Sequence, residues 1–163
     1  MSGAEEPLGR GRLVLVTATA PEQRGALAVA LQARLDRAVV VDGDALEHAV
    51  VAPADRAGWS RPPTGPMLRM RLLRWSAALA VAETYQLEGF DAVVAEDALG
   101  DGLEDFLDLA APEPVHVVVV RGGADPATPH WGLWVDGDRP ADAVADDVLT
   151  RLSDARVVTA DQP

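Results

Sequence analysis

Two periodicities alternate along the chain. "RLVLVTA" (residues 12–18) is apolar and β-branched at successive positions, the mark of a strand buried on both faces. "GALAVALQARLD" (25–36) instead repeats its apolar residues at helical spacing. The alternation continues with "AVVVDGD" (38–44), a second strand ending in acids, and "ALEHAVV" (45–51), a short helix. Pro and Gly crowd "APADRAGWSRPPTGP" (52–66), which predicts a loop. A long helix is expected over 67–89, stopped by Gly89 at a C′ position, with Met67, Met70, Leu73 and Ala77 at helical spacing as its core stripe. A third strand (90–98), a helix (101–110) and a fourth strand (114–121, "PVHVVVVR") follow. After the turn-rich "GGADPATPH", a fifth strand (131–137) carries Trp131 and Trp134 as anchors against a helix. The final helix (141–155) opens with acids suited to its positive end.

Strands that are apolar throughout and separated by helices predict a parallel sheet covered on both faces, joined by right-handed crossovers. The expected architecture is α/β, a three-layer α/β/α arrangement around five parallel strands. One domain over 12–156 is implied, with tails at 1–11 and 157–163. Ligands in such sheets sit beyond the carboxyl ends of the strands. That rule places residues 17–25, Asp42, Asp44, Glu96, Asp97 and Arg121 along one rim.

Composition narrows the classes of function. At 163 residues, 48% hydrophobic, with a mean hydropathy of +0.05, the chain suits one soluble α/β domain. No apolar run is long enough to span a bilayer, and "MSGAEEPLGRGR" lacks a signal peptide's apolar core, so the cytoplasm is the expected compartment. The 26 acidic residues against 14 basic ones, a net charge of −12, argue against nucleic acid and anionic membrane as partners. Cysteine is absent, which excludes disulfides, thiolate metal sites and cysteine nucleophiles. His48 and His116 read as structural, and His130 as a loop residue without a partner. Every basic residue is Arg, as GC-rich coding favours, and no step that needs a lysine ammonium can occur on this chain.

The order of "LVLVT", "VVVDGDAL", "EGFDAVVAEDAL", "VHVVVVR" and "GLWVDG" resembles the P-loop phosphotransferases, in particular the small-molecule kinases similar to chloramphenicol phosphotransferase and the zeta-toxin and adenylylsulfate-kinase group. The resemblance implies a P-loop NTPase-like fold and an Mg·ATP site. A working loop reads G-x-x-x-x-G-K-[ST], so that amide N–H groups converge on phosphate, Lys bridges the terminal phosphates and a hydroxyl ligates Mg²⁺. On that frame this chain has Ala18, Gln23, Arg24 and Gly25, with Pro21 and Glu22 inside the loop. Side chains replace the two glycines, Pro21 removes an N–H, Glu22 adds negative charge, and Gly25 has no oxygen for a metal. The arginine-bearing lid expected between the fourth and fifth strands is also missing. If nucleotide binds at all, Thr17, Arg24, Gly25 and Arg121 would touch it. The resemblance casts Asp42 or Asp44 as the base for a substrate hydroxyl and Asp97, or Glu96, as the metal-side acid.

The other candidate recognition surface is "RAGWSRPPTGPMLRMRLLRW", where Trp59, Arg69, Arg71, Arg74 and Trp75 could line an acceptor pocket. The plainer account pairs these arginines with the surplus carboxylates. Three functions stay open: a degenerate kinase-like module binding a small molecule or a protein; an active phosphotransferase with an atypical phosphate grip; and a different chemistry using the acidic rim. A missing lid would expose apolar surface, which points to a homodimer.

Overall fold

The computed structural model describes residues 9–50, 64–122 and 126–159. Five strands run parallel in the order β2-β3-β1-β4-β5: β1 (Leu13–Thr17), β2 (Ala38–Asp42), β3 (Asp91–Glu96), β4 (Val115–Arg121) and β5 (Leu133–Asp136). A sixth strand, β6 (Arg156–Val157), pairs antiparallel with the start of β4 through Val115↔Val157. The expectation of five strands is therefore corrected to six. Pairing of β5 with β4 begins only at Val118, and β6 takes the edge that this leaves open. Two residues are too few to leave a periodic signal in sequence.

Alternation along β1 divides the core. Val14 and Val16 face one side with Leu27, Leu31, Val144 and Val148 from α1 (Pro21–Gln32) and α5 (Ala141–Thr150). Leu13 and Leu15 face the other side, with Trp75 from α3 (Gly65–Gln86) and Phe106 from α4 (Gly102–Ala110). Trp75 and Phe106 are fully buried and meet edge to face at 5.5 Å, a geometry that adds about 0.5–1.5 kcal/mol beyond the area buried. The short α2 (Gly43–His48) follows β2 directly.

Several boundaries differ from the sequence reading. Helix α1 begins at Pro21, not at Gly25, because Pro fits the first helical position and Glu22 complements the helix's positive end. The last helix ends at Thr150, and residues Leu152–Ala155 form a separate 3-10 turn. Gly11, assigned to the tail, is tied down: its N–H donates to the Gln86 carbonyl and its own carbonyl accepts from Gln86 Nε2, both at 2.9 Å.

The stripe assigned to the core of α3 is also corrected. Its buried residues are Trp75, Ala78, Ala82 and Gln86, whereas Leu73 is 63% exposed and Ala77 faces solvent. Apolar residues lie all round this helix, so periodicity alone did not say which face turns inward.

Candidate functional site

Beyond the carboxyl ends of β1, β2 and β3 the chain brings Arg24 and Arg74 together with their carboxylate partners Asp44, Glu47 and Glu96. The β1–α1 turn is only Ala18, Thr19 and Ala20. None of the residues from Thr17 to Arg24 has a positive φ, so the turn lacks the left-handed steps from which a nest of amides is built. Thr17 is fully buried, and its Oγ1 accepts from the Ala98 N–H at 2.9 Å, which ties β1 to the end of β3.

Arg24 lies in the first turn of α1 and folds back under the loop. Its Nη1 donates to the carbonyls of Ala18 (2.9 Å) and Thr19 (3.3 Å). Its Nη2 donates to both Asp44 oxygens, at 2.9 and 3.0 Å. The Arg24 side chain is 6% exposed, and its Nε is buried without an acceptor. Two carbonyls of the turn thus face the guanidinium that fills it. Gly25 has open space where a Cβ would stand, so no close approach there requires glycine.

The two acids after β2 have separate roles. Asp42 is the N-cap of α2, its Oδ1 accepting from the Asp44 N–H at 2.9 Å. Asp44, cast by the resemblance as a base, is held as the partner of Arg24. Its carbonyl lies 2.7 Å from His48 Nδ1.

A second pair lies deeper. Glu96, at the end of β3, is 1% exposed and receives Arg74 Nε at 2.9 Å and Nη2 at 3.0 Å, a planar bidentate pair. Arg74 Nη1 also reaches Glu47 at 3.3 Å. Burial pushes the Glu96 carboxyl above its ordinary pKa; the charge and hydrogen bonds of Arg74, then Trp75 and Arg24, pull against that rise without cancelling it. The Trp75 indole N–H favours the charged carboxylate from nearby, yet makes no hydrogen bond of full geometry. Gly43 makes room for the arrangement: a Cβ there would stand 2.1 Å from Glu96 Cδ and Oε1.

The remaining candidates scatter. Asp97 accepts from the Leu99 N–H at 3.5 Å, a local turn contact, and among the described residues no three His, Asp or Glu side chains group to hold a metal ion. Arg121 is exposed at the end of β4, beside Asp136 in the β4–β5 register, with no ion pair among the described residues. Arg71 donates to Asp105 at 3.2 Å and lies over the Trp75 ring. Trp75 is fully buried, so its ring is not offered to an acceptor pocket. Arg69 is exposed, and Trp59 lies outside the described residues.

Between β4 and β5 the described residues form no helix. Thr128 is buried there, its Oγ1 accepting from the Gly100 N–H at 2.7 Å. His130, expected to lack a partner, stacks on Trp134 with ring centroids 4.1 Å apart. A shallow apolar groove of about 510 Å³ runs along α1 and α5 past Ala26, Val29, Ala33 and Pro140, and none of the rim arginines lines it.

The sequence singled out Arg74, paired on the plainer account with an unnamed carboxylate; it named neither Glu96 as that partner nor Glu47 at all. A usable signal was present in their placement: Arg74 stands within a turn of Trp75 on the face that covers β3, and a buried strand-end Glu needs a cation.

No protein-family model matches the chain, and no curated protein matches it in sequence. Solved structures do. The APS kinase of Mycobacterium tuberculosis, determined in complex with AMPPNP and APS, superposes with a TM-score of 0.66 at 18% identity, covering 89% of this chain and 99% of its own. A sugar kinase from Janibacter sp. HTCC2649 gives 0.64 at 15% identity, over 89% and 96%. A gluconokinase from Sinorhizobium meliloti 1021 gives 0.58 at 13% identity, over 89% and 93%. Together with the parallel sheet order and its flanking helices, these likenesses establish that the chain has a P-loop small-molecule kinase-like fold.

Proposed function

We propose that this chain retains a kinase-like framework but acts by binding, of a small molecule or a protein partner, and does not take up Mg·ATP through its β1–α1 turn. The observation that supports the reading is the Arg24 guanidinium held between the Ala18 and Thr19 carbonyls and the Asp44 carboxylate. A triphosphate needs inward N–H donors at that place. Here it would meet two carbonyl oxygens and an acid after first expelling Arg24. Asp44 is 31% exposed, so separating this pair costs about 1–3 kcal/mol, below the figure for a fully buried pair. That cost alone weakens phosphate binding by about 5- to 150-fold. The carboxylate proposed as a base is meanwhile bonded through both oxygens.

Thermal melts with excess Mg·ATP or Mg·GTP test the reading. The expected result is an unchanged midpoint. A midpoint that climbs with nucleotide concentration, as mass action demands of a native-state ligand, would falsify it.

A further inference from the structure

The outer face of α3 is built to be covered. From Trp75 to Ala82 the sequence "WSAALAVA" carries no charge on any side, and a helix that is apolar all round belongs in an interior. Only one side is buried in the chain, by Trp75, Ala78 and Ala82. The opposite side presents Leu73 (63% exposed), Ala77, Ala80 and Val81 (39% exposed). Leu73, Ala77 and Val81 stand four residues apart, a single ridge of the helix surface, with small residues at its centre that let another helix approach closely.

We infer that this face is a twofold interface between two copies of the chain, with the α3 helices packed antiparallel about Ala77. The charges flanking the ridge select this occupant. On one side of the ridge stand Arg69, near the helix start, and Glu83, near its end, both exposed. Arg69 has no ion-pair partner among the described residues, and Glu83 makes only a 3.7 Å contact with Arg10. A twofold axis at Ala77 sets Leu73 against Val81 of the second copy. It also carries Arg69 to the level of residue 85 there, one turn or less from Glu83 on the same flank. The pattern is complementary to itself only in the antiparallel sense; in a parallel pair Arg69 and Glu83 of the second copy would lie about 21 Å apart along the helix axis and could not meet. The interface uses none of the rim residues, so it holds or fails independently of the proposed function.

The test is sedimentation equilibrium on the full chain from ~1 to ~100 µM, the range in which a concentration-dependent dimer declares itself. The expected mass rises toward twice the 17.2 kDa of one chain. Ala77→Glu, which sets like charges on the axis, raises the dimer dissociation constant at least ~100-fold while the circular dichroism and a cooperative melt are retained, the midpoint falling toward that of the monomer. Leu73→Arg is the companion variant if Ala77→Glu does not fold. Arg69→Glu weakens the dimer several-fold, and adding Glu83→Arg restores it. A monomer at every concentration, as expected if some other protein or another stretch of this chain covers the face, overturns the inference. So does a dimer untouched by Ala77→Glu and Leu73→Arg, or one that the charge exchange does not rescue.

Discussion

Replacing Arg74 with Met tests the ion pair at the rim. Glu96 is 1% exposed and the Arg74 side chain 20%, so water screens little of their attraction. At about 4 Å between charges and an effective dielectric constant of about 20, one such pair is worth about 4 kcal/mol. Removing one partner of a buried pair costs about 3–5 kcal/mol, because the remaining charge is left without solvent or counter-ion. Arg74→Met additionally leaves Glu47 without its 3.3 Å contact. The expected loss is therefore about 3–4 kcal/mol, between about a fifth and about four fifths of a typical domain's ~5–15 kcal/mol. Urea unfolding followed by tryptophan fluorescence suits the measurement, since Trp75 stands beside the pair.

The sign with pH is specific. Burial already holds the Glu96 pKa above its ordinary value in the folded chain, and loss of Arg74 raises it further. Over the window above the unfolded carboxyl's pKa the folded variant binds more protons than the unfolded one, so its stability rises as pH falls. The deficit of Arg74→Met is expected to shrink between about pH 7 and about pH 5, and Arg74→Met with Glu96→Gln recovers most of it at both. A loss below about 1 kcal/mol, or a deficit flat across that range, refutes the reasoning about a desolvated pair.

Three further outcomes follow from the same geometry. Gly43→Ala drives a Cβ into the Glu96 carboxyl and is expected to lose about 2–4 kcal/mol in urea unfolding, whereas Gly25→Ala, with open space and a helical position, gains about 0.5–1 kcal/mol. Asp42→Ala removes the α2 cap and costs about 1 kcal/mol by the same assay, with Asp42→Asn nearly neutral. His116 is half-buried, its pKa lowered first by burial and then by Arg12 and Arg156 against the opposing pull of Asp91 and its contact with the Leu13 carbonyl. The neutral ring stabilises the fold fully above the ordinary histidine pKa, and that contribution is lost as pH falls below it; His116→Gln flattens the melting temperature between about pH 7 and about pH 5.

The fold was legible because its strands are apolar throughout and its helices are not. "VVVDGD" and "VHVVVV" read as strands of a covered parallel sheet, the first at its edge as β2 and the second inside as β4, and their spacing left room for crossovers. Length and weak contrast decided what was missed. β6 has two residues, and α3 has apolar residues on every side, so its buried face followed from tertiary packing against Phe106 and β3. The rim was legible as an assembly of residues but not as partners. That Asp42, Asp44, Glu96 and Arg24 share one edge follows from strand ends; that Arg24 turns under its own loop to Asp44, while Arg74 crosses to Glu96, depends on rotamers that spacing does not encode. Pro21 and Glu22, read as obstacles in a phosphate loop, start the helix early and bring Arg24 into reach of the turn.

Isothermal titration of the chain with Mg·ATP, beside the same titration of Arg24→Ala, tests most directly whether the guanidinium has replaced the triphosphate. The account predicts no saturable heat for the native chain. Saturable heat that disappears in Arg24→Ala would contradict it, since Arg24 would then be gripping the nucleotide and not standing in its place.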